Sequence, residues 1–278
     1  LEERIRECGF FMQKNRKRIF TWILLFTVSI QVFWWDGISV SAEPAAIEAP
    51  SAVLLESSTG KVIFEQNARE RRSPASITKI MTAMLALQSG KLNDTVTITQ
   101  DNVTLEDGSQ VCGFVAGDQV TLDQLLHCLL VYSGNDAASA IAEYVGGNTE
   151  NFVQMMNDYA AKLGCTGTHF SNPHGLQDEN HYTTPYDIYL MLNEAFTYPE
   201  FTEITELPSY TVTYTGSDGT EKSTTLTATD HYLTGEATAP KDVTILGGKT
   251  GTTEVAGNCL AILTQNAYGK TFVSIVMG

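Results

Sequence analysis

Ser76-Ile77-Thr78-Lys79 sets a hydroxyl and an amine three residues apart. At the start of a helix that spacing puts both groups on one face, close enough to share a proton. The positive end of the helix dipole disfavours an ammonium and favours a developing alkoxide, so it helps Lys79 as a base and Ser76 as a nucleophile. Such a tetrapeptide arises often by chance and needs companions. Two follow: Ser133-Gly134-Asn135, about 57 residues on, and Lys249-Thr250-Gly251 after the pair Gly247-Gly248. Beside Ser76, the Ser133 hydroxyl is suited to relay a proton to a leaving amine, and the Asn135 amide to bind a substrate peptide carbonyl. Lys249 is suited to bind a carboxylate and, through its charge, to hold Lys79 neutral. Gly247, Gly248 and Gly251 are expected to let a substrate backbone approach their strand closely. The three motifs together, in this order, are specific for acyl transfer through a serine.

The elements that must carry these groups are legible in the pattern. SAVLLE and KVIFEQ flank Ser57-Ser58-Thr59-Gly60 and predict a β-hairpin. Ser73-Pro74 predicts a helix start, Ser73 as N-cap and Pro74 first in the helix, with Ile80, Ala83, Met84 and Leu87 on one apolar face and Gly90 at the end. Thr121 to Gln124 forms a capping box before a leucine-rich helix, and a second helix is expected from about Asp136 to Val145, leaving Ser133-Gly134-Asn135 in the break. A further helix spans about Glu150 to Leu163 with Phe152, Met155, Met156, Tyr159 and Leu163 inward, and Thr184-Pro185 opens another. From about Tyr210 Thr, Tyr and Val alternate, and ILGGKTG, NCLAILTQ and TFVSIVMG follow as antiparallel strands. Strands at both ends around a helical middle predict an antiparallel sheet built from distant segments and covered by helices. No repeat or low-complexity tract interrupts the pattern.

Lys14, Arg16, Lys17 and Arg18 precede an uncharged apolar run from Ile19 to Trp35, and Val40-Ser41-Ala42 follows. Residues 1–42 therefore read as an export signal cleaved after Ala42, with an uncleaved anchor as the alternative. Residues 43–50 read as a linker and 51–278 as the catalytic domain. Without residues 1–42 the chain holds 11 basic against 28 acidic residues, a formal charge of −17, which excludes a nucleic-acid partner. Cys112, Cys128, Cys165 and Cys259 allow three disulfide pairings, among which the sequence does not choose, and Cys128 reads as a buried thiol. No His or Cys stands at zinc-ligand spacing, so no metal and no cofactor are expected. The chain begins at Leu1 without Met and stops at Gly278 right after a strand, so both ends are expected to be truncated, with a final helix covering the sheet beyond the end.

With its motifs so placed, the chain resembles the low-molecular-mass penicillin-binding proteins, the serine D-alanyl-D-alanine carboxypeptidases, over roughly residues 47–278. The stretches RRSPASITKIMTA, LLVYSGNDAA, THFSNPHGL and GGKTGTTEVAGNC carry the likeness. The resemblance implies an α/β (α+β) β-lactamase/transpeptidase-like fold, an antiparallel sheet flanked by helices with a helical subdomain. It implies that Ser76 is acylated by the penultimate D-Ala of peptidoglycan stem peptides, with Lys79 as acylation base and Ser133 as proton shuttle. Asn135, Lys249, Thr250 and Gly251 would hold substrate, the Ser76 and Thr252 amides would form the oxyanion hole, and His174 in NPHGL would lie at the cleft rim. His127 and His181 are expected to be structural, one within a helix heptad and the other before a capping box. β-Lactams are implied as covalent inhibitors. The place of action would be extracytoplasmic, with membrane association through the N-terminal segment or a C-terminal anchor. A serine β-lactamase and a penicillin-binding sensor domain without turnover are the competing readings. Class A β-lactamases add a Glu-x-x-Leu-Asn segment absent here and usually carry Asp where this chain has Gly134.

Overall fold

In the computed structural model, which describes residues 47–278, SAVLLE and VIFEQ pair as the antiparallel strands β1 (Ser51–Glu56) and β2 (Val62–Gln66). The turn closes through Gly60 N–H to the Glu56 carbonyl at 2.9 Å. A 3-10 turn, Ala75–Thr78, leads into helix α1 (Lys79–Gln88). Then come β3 (Thr95–Thr97), β4 (Gln119–Thr121), α2 (Leu122–His127), a π-helical turn Cys128–Tyr132, α3 (Asn135–Gly146), α4 (Thr149–Lys162), α5 (Pro185–Ala195) and α6 (Pro199–Thr205). The chain returns to strand with β5 (Ser209–Thr215), β6 (Glu221–Thr227), β7 (Val243–Thr253), β8 (Gly257–Asn266) and β9 (Thr271–Met277). The expected signal, residues 1–42, and the first part of the expected linker lie outside the described residues. Among the described residues no helix is long and apolar enough to cross a membrane.

The main sheet has the order β2-β1-β9-β8-β7, antiparallel throughout, so its first hairpin and its last three strands come from opposite ends of the described chain. A second sheet, β3-β4-β5-β6, takes the Thr/Tyr alternation of β5 and β6 away from the main sheet. The sequence pattern did not separate the two sheets, because alternation sets which face is apolar and not which neighbour a strand finds.

The start of α1 departs from expectation. Pro74 occupies the N-cap without a side-chain cap, and the Ser73 hydroxyl bonds Gln177 Oε1 at 3.1 Å instead. Ala75 has φ +47°, a left-handed turn that lifts Ser76 out of regular helix. The helix is buried on every face from Lys79 to Ala86 and not along one stripe, since it is wedged in the core with α3, α4 and α5 around it. The capping box at Thr121–Gln124 forms as read, while Thr184 caps α5 only by accepting from the Asp187 N–H, without the reciprocal bond of a box. In α4, Phe152 and Met156 are buried while Met155 faces solvent. All four described cysteines are buried free thiols.

Candidate active site

Lys79 opens α1 and is wholly buried, its Nζ 2.9 Å from Ser76 Oγ, 2.6 Å from Asn135 Oδ1 and 2.7 Å from the His174 carbonyl oxygen. The last two partners only accept. A neutral amine has two N–H donors and one lone pair, so with both donors committed to Asn135 and His174 the lone pair faces the Ser76 hydroxyl. Burial first, and then the Lys249 cation, hold the Lys79 pKa well below that of a free lysine. The arrangement sets an amine of lowered pKa within hydrogen-bond reach of an alcohol.

Ser133 stands in the left-handed conformation, φ +69°, between the π-helical turn and α3, and its Oγ is buried without a hydrogen-bond partner. Strain and an open hydroxyl in one residue are features that functional sites retain. A Cβ on Gly134 would meet Cys112 Sγ at 2.2 Å, which accounts for glycine at this position. The next residue on α3, Asp136, holds the loop over this motif: its carboxylate accepts from the N–H groups of Cys112 and Gly113 at 2.9 and 3.1 Å.

β7 forms the opposite wall. Lys249 is 1% exposed and donates to the Thr250 carbonyl at 3.0 Å, while the Thr250 and Thr229 hydroxyls meet at 2.6 Å. Thr252 Oγ1 donates across the hairpin to Asn258 Oδ1 at 3.1 Å. The glycines of this strand do not serve as expected. A Cβ on Gly247 would strike Thr205 Oγ1 at 2.4 Å, one on Gly248 the Ala261 carbonyl oxygen at 2.2 Å, and one on Gly251 the Ser76 N at 2.8 Å. They admit the protein's own chain, and Gly251 brings β7 against the turn that bears the nucleophile.

A cleft of about 820 Å³ runs between these walls. Ser76, Ser133, Asn135, Thr250, Gly251 and Thr252 line it, together with the loop from Glu106 to Gln110 and the connection from Thr229 to Tyr232. Lys79 and Lys249 lie just beneath the surface. His174 does not line the cleft with its ring: Nδ1 accepts from the Leu176 N–H at 3.2 Å, and burial, followed by the Lys79 charge, pulls its pKa down to about 3. Its contribution to the site is the carbonyl that holds Lys79.

His181 is structural as read, though its partner was not foreseen. Its Nδ1 accepts from the Ser171 N–H at 3.0 Å, which puts the ring proton on Nε2, 2.8 Å from Thr78 Oγ1. Thr78 in turn donates to the Ala75 carbonyl at 2.8 Å, so the imidazole braces the nucleophile's turn. The nearby capping residue, Thr184, gave no hint of this contact. His127 is structural as read, stacked on Tyr210 with centroids 4.3 Å apart.

Burial depresses the His181 pKa to about 4. Between that value and the ordinary 6.5 the unfolded chain binds a proton that the folded one refuses, so stability is lost as pH falls through this window. The expected contribution is on the order of 3 kcal/mol. Thermal melts from about pH 7 to pH 4 should show it, with His181→Gln flattening the slope. A slope equal to that of the unaltered protein would remove His181 as its source.

An antiparallel sheet covered by helices, with a serine and a lysine amine in contact, a strained Ser-Gly-Asn turn and a Lys-Thr-Gly strand around one cleft, defines the β-lactamase/transpeptidase-like class of fold. The chain belongs to the Peptidase_S11 D-alanyl-D-alanine carboxypeptidase family, whose model matches residues 38–278. It is 32% identical over 275 residues to the D-alanyl-D-alanine carboxypeptidase DacD of Escherichia coli (strain K12), covering 95% of this chain and 67% of the relative. It is 42% identical over 164 residues to DacF of Bacillus subtilis (strain 168), covering 58% of this chain and 42% of the relative. Against such longer relatives the chain spans from 42% to 67% of their length. Among solved structures it is similar to the Streptomyces K15 DD-transpeptidase, with TM-score 0.78 at 28% identity over 85% of this chain and 92% of that one. A D-alanyl-D-alanine carboxypeptidase from Mycobacterium tuberculosis H37Rv gives TM-score 0.76 at 28% identity over 86% of each chain.

Proposed function

We propose that this chain is a serine-type D-alanyl-D-alanine carboxypeptidase that removes the terminal D-Ala of peptidoglycan stem peptides through an acyl-enzyme on Ser76. The observation that carries the reading is the Lys79 amine, 2.9 Å from Ser76 Oγ and with both other contacts to carbonyl oxygens. In this mechanism Ser76 Oγ attacks the penultimate D-Ala carbonyl carbon while Lys79 takes the hydroxyl proton. The oxyanion is held by the backbone N–H groups of Ser76 and Thr252, fixed dipoles that replace water. The unpartnered Ser133 hydroxyl gives its proton to the leaving nitrogen and takes in return the one held by Lys79, the peptide C–N bond breaks, D-alanine departs, and Lys79 is again a neutral amine. Water then attacks the ester, Lys79 takes its proton and hands it to the departing Ser76 Oγ, and the hydroxyl is restored. Asn135 and Thr250 orient the peptide, and the Lys249 ammonium attracts its terminal carboxylate.

The substrate lies outside the cytoplasm, so residues 1–42 serve in this reading as the export signal, residues 43–50 as a linker and residues 51–278 as the catalytic domain. β-Lactams, which present a strained amide and a carboxylate at the same spacing, acylate Ser76. The test pairs D-alanine release from diacetyl-L-Lys-D-Ala-D-Ala with intact-mass detection of a penicillin adduct. Release together with an adduct is the expected result. Penicillin turnover faster than D-Ala release would make the chain a β-lactamase, and an adduct without either turnover would make it a sensor.

A further inference from the structure

The connection between β6 and β7 carries a buried acid that the steps above leave unused. Asp230 is 7% exposed, and its Oδ1 accepts from the Tyr232 N–H at 2.9 Å, capping the short helical turn His231–Thr234. Its Oδ2 is buried with no hydrogen-bond partner. A carboxylate with an open, desolvated oxygen is costly unless a cation compensates it. Lys249 is buried on the neighbouring strand, and its bond to the Thr250 carbonyl leaves two of an ammonium's three N–H donors for other partners. Asp230 and Lys249 share the walls of a small cavity of about 10 Å³ with Thr205, Thr229 and Thr250. That is room for one water with polar groups around it.

We propose that Asp230 is a positioning residue for Lys249, acting across this cavity through a single bridging water to keep the ammonium charged and aimed at the carboxylate end of the cleft. This rests on the carboxypeptidase reading for its catalytic consequence, though not for the contact itself. The charged groups facing Lys249 are Asp230 and, from α1, Lys79, and the remaining cavity walls are apolar or hydroxyl-bearing. Burial pulls the Lys249 pKa down to about 7, and the Asp230 charge is what opposes it. Without that charge the value falls further and the protonated fraction at neutral pH shrinks. A neutral Lys249 no longer attracts the substrate carboxylate and no longer depresses Lys79.

Asp230→Asn and Asp230→Ser both keep a side-chain cap for the helical turn and remove only the charge. Acylation by fluorescent penicillin and D-Ala release are followed across about pH 5 to 9 in the full chain and both variants. The alkaline limb of each variant is expected to move toward lower pH by about one unit, with KM for the peptide raised about tenfold at neutral pH. Titration of the Lys249 amine by 15N NMR should show the same downward displacement. Melts at fixed pH show whether the variants are folded. Folded variants whose Lys249 titration matches that of the unaltered protein would overturn the proposal and leave Asp230 a helix cap. An unaltered protein that neither labels with penicillin nor releases D-Ala would sink the parent reading instead, while the NMR titration still decides the contact.

Discussion

Ser76→Ala is expected to lose the penicillin adduct entirely and to lower D-alanine release by about 10⁴-fold or more, while the protein stays folded. In the proposed mechanism Ser76 Oγ forms the ester, and the neighbouring Thr78 cannot replace it, because its Oγ1 is buried and committed to the Ala75 carbonyl and His181. The stability cost is small. Lys79 keeps Asn135 Oδ1 and the His174 carbonyl when Ser76 Oγ is removed, and an alanine methyl fits where a serine side chain stood. A melting temperature within about 2 °C of the unaltered protein is expected. Intact mass after incubation with penicillin reads the outcome, and a stoichiometric adduct on the Ser76→Ala protein would move the nucleophile elsewhere.

Lys79→Met is expected to slow acylation by about 10²- to 10⁴-fold, which is the range that a positioned general base supplies. Methionine matches the lysine stem in length and lacks the basic amine, so the loss is chemical and not one of volume. The substitution also strands the Asn135 Oδ1 and His174 carbonyl acceptors. Each buried acceptor left without a donor costs about 1–3 kcal/mol, offset in part because no amine is desolvated any longer. A second readout separates base from scaffold. The folded Lys79 pKa lies well below 10.5, so over the interval between the two values only the unfolded chain holds the proton, and stability rises with pH. Lys79→Met should flatten that rise and the acid limb of the acylation profile together. Stopped-flow acylation and melts over a pH series measure both, and an unchanged acylation rate would remove Lys79 as the base.

Much of this site was legible before any coordinates. The Ser76–Lys79 spacing, the break holding Ser133-Gly134-Asn135, and the late strand of Lys249-Thr250-Gly251 are local patterns, and local geometry follows from them. The box at Thr121 and the cap at Thr184 also formed, the latter without its reciprocal bond, because a cap is decided within four residues. So did the hairpin of β1 and β2 and the run of β7 to β9, where alternation and turn residues agree.

Where the reading failed, the deciding contact was distant in sequence. Ser73 looked like a cap until the fold gave its hydroxyl to Gln177. Gly247, Gly248 and Gly251 looked like room for a ligand, and packing filled that room with Thr205, β8 and the Ser76 turn. The ring of His174 was expected at the rim and the carbonyl is what reaches Lys79. Asp136, His181 and Asp230 carry no motif, because their partners are the 112–114 loop, Thr78 and the Lys249 cavity. The amino-acid sequence by itself determined which groups this protein possesses for chemistry and which helices and strands bear them. Their approach to bonding distance, the burial that lowers the Lys79 pKa and the charge near Lys249 were decided only by tertiary structure, since desolvation and electrostatic coupling depend on what is packed around a group and not on its neighbours along the chain.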